Sequence, residues 1–229
     1  MPSLEKSEFE NVFWLVYPDR KFLATKNLAP GVSVYGERLV KIDDVEYRVW
    51  DPYRSKLSGA IWKGLRTMPI RPGSTVLYLG ASTGTTISHV SDIIEMKGVV
   101  FGVEVSARVA RELLDRVVKY RKNVIPIVED ARYPNRYSSF IFKKVDVVYS
   151  DIAQPDATEI TLSNSMSYLN RGGFMILIVK ARSIDPVAPA NVIVEREAKK
   201  VENAGFEINE VINLKPYDKE HGLIVARYK

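Results

Sequence analysis

The chain has 229 residues, of which 46% are hydrophobic and 27% are charged, so it can bury a core and is neither disordered nor fibrous. It has no cysteine, which excludes disulfides, thiolate metal ligands and cysteine nucleophiles, and its two histidines argue against a histidine-based zinc site. The net charge of +5 permits a polyanionic partner without requiring one.

The sequence contains no long apolar run, and its first residues, MPSLEKSEFE, are acidic and polar. A membrane-spanning helix needs about eighteen or more consecutive apolar residues, and a signal peptide needs a basic start followed by an apolar stretch. We therefore expect a cytoplasmic protein that has no membrane partner and binds no metal.

Residues 8–50 have the pattern of a small antiparallel sheet. FENVFWLVY and KFLAT flank a Pro-Asp-Arg turn at 18–20, and ERLVKI and VEYRVW flank two aspartates at 43–44. Both pairs mix apolar with polar positions, as in a sheet that is partly exposed. We predict a β-rich N-terminal module over residues 1–52 and a second domain over residues 53–229.

Asp51 and Pro52 favour the start of a helix, and the apolar positions that follow extend it over roughly 54–67. From residue 74 onward, apolar strands alternate with amphipathic helices. The predicted strands and helices are, in chain order, STVLYLG, a helix over 85–95, GVVFGVEV, a helix over 107–121, NVIPIVED, KVDVVYSD, a helix over 157–169, GGFMILIVKA, a helix over 190–203, FEINEVINL and HGLIVARYK.

This alternation predicts an α/β fold. Nearly continuous apolar strands that are separated by helices are typical of a parallel sheet covered on both faces. The last two strands are joined by only a short loop and must pair antiparallel, because a parallel crossover needs a dozen residues or more. We therefore predict a doubly wound, mostly parallel seven-stranded sheet with a reversed last strand, which is the variant of S-adenosylmethionine-dependent methyltransferases.

Ligands on open parallel sheets bind at the carboxyl ends of the strands, so the residues that follow each strand are candidates for a binding site. The first strand is followed by GASTGTT over residues 80–86, where Gly80 and Gly84 let the backbone approach a ligand and Thr85 and Thr86 add hydroxyls. The spacing is neither a dinucleotide fingerprint nor a phosphate loop, and a plain tight turn also explains it.

Carboxylates follow the next three strands. Glu104 is placed to accept hydrogen bonds from two ribose hydroxyls, Asp130 can accept from an adenine amino group, and Asp151 ends the fourth strand. Each of them alone is also compatible with an exposed carboxylate at a strand end. Their joint occurrence beside the glycine loop predicts a site for a nucleoside cofactor.

Four polar residues fall where chemistry can occur, namely Lys56, Asp151, Lys180 and His221. Lys180 follows six apolar residues, and burial lowers the pKa of a lysine towards the range of a usable base. We predict that Lys180 removes the proton of a ribose hydroxyl, that Asp151 orients Lys180, and that Lys56 and His221 position the ribose. The alternatives are a solvated helix lysine at 56, a strand-end lysine at 180 whose ammonium reaches water, and a turn histidine at 221.

Several stretches that together span most of the chain closely resemble the fibrillarin family in its short archaeal form. They are YRVWDPYRSKLSGAIWKGL, VLYLGASTGTTISHVSDI, VFGVEVSARVARELL, EDARYP, VDVVYSDIAQPDA and YLNRGGFMILIVKARSID. The resemblance implies a ribose 2′-O-methyltransferase that acts on ribosomal and transfer RNA, directed by a box C/D guide RNA. It also implies two protein partners, a Nop-domain scaffold protein and a kink-turn-binding ribosomal-type protein.

The resemblance implies S-adenosyl-L-methionine as cofactor and the same catalytic set of Lys56, Asp151, Lys180 and His221. Together, the glycine loop and the resemblance predict that the cofactor is held by Gly80, Ala81, Thr83, Gly84, Thr85, Thr86, Glu104, Val105, Asp130, Ala131, Asp151, Ile152, Ala153 and Gln154.

The chain has no recognisable RNA-reading motif, so we expect basic side chains to hold phosphates without reading sequence. Arg132 and Arg182 flank the expected site and are the predicted RNA contacts. A second basic cluster fits a solvated helix face better; it consists of Arg108, Arg111, Arg116, Lys119, Arg121 and Lys122.

Two other functions are compatible with the sequence. The first is methylation of protein glutamine or of a small-molecule hydroxyl, although no long insertion is visible that would supply a lid over a small substrate. The second is a non-catalytic assembly protein that keeps the fold, against which the presence of all four catalytic candidates argues.

Overall fold

Two β-sheets organise the computed structural model, which describes residues 2–229. The strands of the first sheet are β1 (Ser3–Lys6), β2 (Val12–Val16), β3 (Lys21–Lys26), β4 (Leu39–Ile42) and β5 (Val45–Val49). The sheet is antiparallel in the order β1-β2-β3-β5-β4, and its β2–β3 and β4–β5 hairpins are those that the turn residues predict. The short and mostly exposed β1 shows no apolar alternation and was not predicted.

The second sheet carries the rest of the chain. Its strands are β6 (Thr75–Leu79), β7 (Val99–Val103), β8 (Val124–Ile127), β9 (Val145–Ser150), β10 (Leu169–Lys180), β11 (Phe206–Asn213) and β12 (His221–Tyr228). Their order is β11-β12-β10-β9-β6-β7-β8, and only β12 runs against its neighbours. The predicted fold, a mostly parallel seven-stranded sheet with a reversed last strand, is therefore confirmed.

Within residues 2–229, six α-helices accompany the sheets. They are α1 (Lys56–Trp62), α2 (Thr85–Ile94), α3 (Ala107–Leu113), α4 (Ala157–Tyr168), α5 (Ala181–Ile184) and α6 (Ala190–Asn203). A π-helical turn, Leu114–Val118, continues α3, and a 3₁₀ helix, Pro134–Phe140, precedes β9. No helix within residues 2–229 is long and apolar enough to cross a membrane.

The prediction of a helix over 54–67 is wrong in its extent. The helix α1 ends at Trp62, because Gly64 adopts a left-handed φ of 87° and Leu65 then folds back to donate to the carbonyl of Ala60. The side chain of Leu65, which was expected on the apolar face of the helix, is buried in this turn.

The core lies on both faces of the larger sheet. Val76 and Tyr78 of β6 point into a cluster with α1, α2 and the N-terminal sheet, whereas Leu77 and Leu79 point into a cluster with α4 and α6. The N-terminal sheet therefore shares a hydrophobic core with α2.

A buried charge cluster strengthens this contact between the N-terminal sheet and α2. Arg48 of β5 donates to Glu37 at 2.6 Å, to Asp92 at 2.7 Å and to Ser88 at 2.8 Å. Arg121 lies 3.4 Å from the other oxygen of Asp92. The side chains of Arg48, Arg121 and Asp92 are fully buried. The predicted solvated face is therefore wrong for Arg121, because its guanidinium has turned inward to Asp92.

His89 of α2 is buried beside this cluster. Its ring stacks on Trp50 at 4.8 Å, and its two nitrogens hydrogen-bond the hydroxyls of Thr25 and Tyr35. Burial, together with the positive charges of Arg48 and Arg121, holds the pKa of His89 well below its ordinary value. The ring is therefore neutral and helps to join α2 to the N-terminal sheet.

We predict that Asp92→Ala lowers the free energy of unfolding by roughly 3–5 kcal/mol, because it leaves the guanidinium groups of Arg48 and Arg121 buried without their shared carboxylate. Urea denaturation followed by circular dichroism measures the loss. The matched control is Asp44→Ala, whose carboxylate is fully exposed and whose removal changes stability by less than roughly 0.5 kcal/mol. Equal losses in the two variants would contradict a structural role for the cluster.

Candidate active site

The parallel strands β6, β7, β8, β9 and β10 end along one side of the larger sheet, which we call the carboxyl edge. A cavity of about 280 Å³ opens there. Glu104 beyond β7 and Lys180 at the end of β10 both line it, although β7 and β10 are separated by two other strands. The full lining is Gly80, Ser82, Val103, Glu104, Val105, Glu129, Asp130, Ala131, Arg132, Asp151, Ile152, Ala153, Gln154, Ile160 and Lys180.

The loop after β6 reaches the cavity through Gly80. A Cβ placed on Gly80 would lie 3.0 Å from the carbonyl oxygen of Asp151, and the residue has a φ of 80°. A glycine is therefore needed for the ends of β6 and β9 to approach this closely. Of the other predicted loop residues, Ala81, Thr83, Gly84, Thr85 and Thr86 do not line the cavity, and their contact with a cofactor stays a prediction.

Gly84 and Thr86 have close neighbours within the protein. Gly84 precedes α2 with a φ of 107°, and a Cβ there would lie 2.3 Å from a methyl group of Val117. The hydroxyl of Thr86 lies 2.9 Å from that of Ser55, the residue that caps α1. The start of α2 is thus fixed to the start of α1.

Two carboxylates that line the cavity, those of Glu104 and Asp130, accept hydrogen bonds from backbone N–H groups. Glu104 accepts from the amides of Ser82 and Ser106 at 2.9 and 3.0 Å, and each of its oxygens keeps a further lone pair. Partial burial of Asp130 opposes its ionisation, but hydrogen bonds from the backbone and the guanidinium of Arg132 outweigh burial and lower its pKa. Both carboxylates are therefore fixed acceptors for hydroxyl or amino groups of a ligand.

Two lysines converge on Asp151, and of these Lys180 lines the cavity whereas Lys56 does not. Lys180 Nζ lies 2.9 Å from one carboxylate oxygen and donates to the backbone carbonyl of Asp151 at 2.7 Å. Lys56 Nζ, from the first residue of α1, lies 3.2 Å from the other carboxylate oxygen. Between 15% and 22% of each side chain is exposed, so the three groups are largely shielded from solvent.

His221 is adjacent to this cluster but does not contact it. It stands directly opposite Lys180 in the antiparallel β10–β12 pair, so the two side chains share a face of the sheet. Its Nδ1 contacts the carboxylate of Asp218, and it does not line the cavity. The structure therefore brings Lys56, Asp151 and Lys180 together and leaves the role of His221 a prediction.

The two predicted RNA contacts differ in position. Arg132 lines the cavity, where it pairs with Asp130. Arg182 pairs with Glu220 at 2.9 Å and borders a separate hollow of about 510 Å³ that also contains Lys215 and Lys219. Sequence reasoning missed four residues of the cavity wall, Ser82, Val103, Glu129 and Ile160. Ser82 lies inside the glycine loop, and Val103 and Glu129 directly precede two predicted site residues, so these three could have been found. Ile160 has no signal beyond its place in a predicted helix.

Comparisons with known proteins identify relatives over the whole chain. The fibrillarin family model matches residues 4–229. A fibrillarin-like rRNA/tRNA 2′-O-methyltransferase of Sulfolobus acidocaldarius is 52% identical over 225 residues, which cover 98% of this chain and 96% of the relative.

Two solved structures are also similar. The fibrillarin of Aeropyrum pernix, in complex with natively bound S-adenosyl-L-methionine, superimposes with a TM-score of 0.90 at 42% identity, covering 98% of this chain and 97% of that one. The fibrillarin in a fibrillarin/Nop5p complex superimposes with a TM-score of 0.86 at 39% identity, covering 98% of this chain and 100% of that one.

Gly84 provides a test of how tightly the glycine loop is packed. We predict that Gly84→Ala destabilises the protein by roughly 1–3 kcal/mol more than Gly73→Ala, because a methyl group at 84 would overlap Val117. Gly73 is the matched control, since it has a similar positive φ of 82° but open space around it. Urea denaturation measures both losses, and equal values would show that Val117 does not constrain the loop.

Proposed function

The chain belongs to the fibrillarin family, and on this premise we propose that it is an S-adenosylmethionine-dependent 2′-O-methyltransferase of RNA ribose. The observation that carries the proposal is that one and the same cavity contains the fixed carboxylate of Glu104 and the side chain of Lys180, which is paired with Asp151. A nucleoside cofactor needs hydrogen-bond acceptors at its sugar, and a hydroxyl that is to be methylated needs help in losing its proton.

The residues of the cavity suit S-adenosylmethionine, which supplies an electrophilic methyl group when it is bound. The free lone pairs of Glu104 accept from the ribose hydroxyls, and Asp130 beside Ala131 accepts from the adenine amino group. Val105 and the segment 151–154 complete the walls. The Aeropyrum pernix relative, which holds this molecule natively, supports the assignment.

In this proposal Lys180, Asp151 and Lys56 act on the target nucleotide. Lys180 accepts the proton of the 2′-hydroxyl in its neutral form, while Asp151 fixes Lys180 through its carboxylate and its backbone carbonyl. Lys56 meets the opposite carboxylate oxygen and orients the ribose from the side of α1. His221 assists from the neighbouring strand, opposite Lys180. The transfer depends on alignment, which this shielded group of side chains supplies.

We further propose that the enzyme works inside a box C/D guide ribonucleoprotein. The solved fibrillarin/Nop5p complex supports a Nop-domain scaffold protein as partner, and the name of the Sulfolobus relative supports ribosomal and transfer RNA as substrates. Guide RNA and a kink-turn-binding ribosomal-type protein complete the particle. Arg132 and Arg182 then hold phosphates near the cavity, while base pairing with the guide selects the nucleotide.

The cofactor assignment is tested by Glu104→Gln. We predict that the dissociation constant of S-adenosylmethionine rises roughly 10- to 100-fold, because hydrogen bonds to a charged acceptor are lost. Isothermal titration calorimetry measures the constant. Glu112→Gln, a change at a partly exposed residue of α3 that does not line the cavity, should leave it unchanged. Unchanged binding by the Glu104 variant would overturn the placement of the cofactor ribose.

The catalytic assignment is tested by Lys180→Ala in a particle reconstituted with guide RNA and both partner proteins. We predict that kcat for transfer of a labelled methyl group to RNA falls roughly 100- to 10,000-fold, because the general base is lost. Lys122→Ala, which removes an exposed lysine, is the control. Undiminished transfer would refute a catalytic Lys180, and a methylated protein or small molecule in place of ribose would refute the substrate.

A further inference from the structure

A hollow of about 840 Å³ lies at the edge of the larger sheet where β6, β9 and β10 begin. Its wall includes Ser74, directly before β6, Asp146, near the start of β9, and Phe174 in the first half of β10. Because β6 and β9 have five and six residues that rise about 3.3 Å each, their carboxyl ends lie roughly 20 Å away. The hollow is therefore separate from the active-site cavity, with which it shares no lining residue.

Three arginines stand in the wall of this hollow, which we call the arginine hollow. Arg66 belongs to the turn after α1, Arg71 lies shortly before β6, and Arg171 lies near the start of β10. All three are exposed. In the described part of the chain, none of their guanidinium groups lies within 4 Å of a carboxylate, and the wall contains no lysine. Three separate segments thus bring unpaired guanidinium groups to one place.

The carboxylates near the arginine hollow are engaged by other groups. Asp146 is the only acidic residue among the described residues of the wall, and its two oxygens accept from the amide of Thr75 at 2.9 Å and from the side chain of Asn170 at 3.3 Å. Glu210 lies outside the wall and accepts from the backbone amide of Arg66 at 3.0 and 3.1 Å. The wall itself therefore has three positive charges against one negative charge, and it favours an anion.

A fourth arginine lies beside the wall. Arg227 Nε donates to the carbonyl of Gly172 at 3.3 Å, and its Cζ lies 6.0 Å from the ring centroid of Phe174. Glu207 stands opposite Arg227 in the β11–β12 pair, and over residues 2–229 the two form no ion pair. Because these two charges offset each other, the positive excess of the wall remains.

The chemistry of the arginine hollow suits the phosphates of RNA. A guanidinium group is a planar fork that can bind two oxygens of one phosphate at once. The half-buried ring of Phe174 adds apolar surface on which a base or sugar can rest. A row of phosphates along one strand meets several guanidinium groups together, whereas a single small anion meets few of them.

We infer that the arginine hollow binds the sugar–phosphate backbone of an RNA segment remote from the target nucleotide. This inference rests on the proposed function, which supplies RNA as the anion. Phosphate contacts fix the position of a protein on a nucleic acid without reading its sequence. The hollow thus adds affinity and orientation at the edge opposite the active site, and the guide RNA still selects the target.

The salt dependence of RNA binding tests the inference with the full chain. The principal variant combines Arg66→Gln, Arg71→Gln and Arg171→Gln, which remove exposed charges outside any ion pair and so retain the fold. We expect the dissociation constant for a short oligouridine, measured by fluorescence anisotropy at low salt, to rise roughly 10- to 100-fold. Because each phosphate contact on a single strand contributes about 0.7 to the slope of log K against log salt, the slope should fall by roughly 2.

The matched control combines Arg108→Gln, Arg111→Gln and Lys122→Gln. These residues are exposed and form no ion pair within residues 2–229, and their replacement removes the same net charge. The control should keep the wild-type slope, and circular dichroism checks that both variants are folded. Equal losses in the two triple variants would show that affinity follows only the total charge, which overturns the inference. No measurable binding by the wild-type chain overturns it as well.

The outcomes separate this inference from the function it rests on. If reconstituted wild-type particles methylate ribose while the arginine variant binds oligouridine like the wild-type chain, the inference is overturned and the proposed function stands. If wild-type particles do not methylate ribose, the proposed function itself fails. Inorganic phosphate that displaces the oligouridine at constant ionic strength would reveal a site for a free anion, and it would also overturn the inference.

Arginine footprinting gives a direct second measurement in the assembled particle. Phenylglyoxal modifies accessible guanidinium groups, and mass spectrometry identifies the modified residues. We expect Arg66, Arg71 and Arg171 to be protected in the complete particle but not in the complex with the scaffold protein alone, whereas Arg108 and Arg111 stay reactive in both. Protection by the scaffold protein alone would assign the hollow to a protein partner. That result, or full reactivity in the complete particle, would contradict the inference.

Discussion

The contact of two lysines with the carboxylate of Asp151 sets the main geometric requirement of this structure. Lys180 reaches Asp151 from the adjacent strand of the same sheet, but Lys56 comes from a helix that precedes the sheet in the chain. The carboxylate can hold both ammonium groups only if α1 is fixed at the carboxyl edge. Much of the remaining architecture serves this placement. The hydroxyl of Ser55 caps α1 and meets Thr86 at the start of α2, and Gly80 lets the ends of β6 and β9 come close together.

The N-terminal sheet is part of the same constraint. Trp50 and Leu23 enter the core cluster that contains α1 and α2, and Arg48 places its charge on Asp92 and its hydrogen bond on Ser88 of α2. The position of α2 therefore depends on the N-terminal sheet as well as on the larger one. A division of the chain at residue 52 stays a prediction, but the contacts across that point include the buried ion pair between Arg48 and Asp92. The N-terminal sheet thus helps to hold α1 and α2 in place, and α1 carries Lys56.

The sequence predicted the strands and their direction well, because apolar runs and a short final loop are local properties of the chain. It also predicted that Glu104, Asp130 and Asp151 lie at one edge, since carboxyl ends of parallel strands always meet. It failed where a side chain's partner depends on which distant elements come together. Arg121 belongs to a basic stretch but turns inward to Asp92, 29 residues earlier in the chain. Nor could the sequence show that the hydroxyl of Thr86 meets that of Ser55, while the contact of Thr86 with a cofactor stays a prediction. The early end of α1 followed from a left-handed glycine that periodicity cannot show.

The reversed direction of β12 has a practical consequence. His221, at the beginning of this strand, lies at the carboxyl edge opposite Lys180. Tyr228, near the end of the strand, pairs with Phe206 at the beginning of β11 and so lies at the opposite edge of the sheet. Lys229 consequently emerges on the side of the molecule away from the cavity. An affinity tag, a fluorophore or a surface tether attached to Lys229 would therefore leave the mouth of the cavity unobstructed.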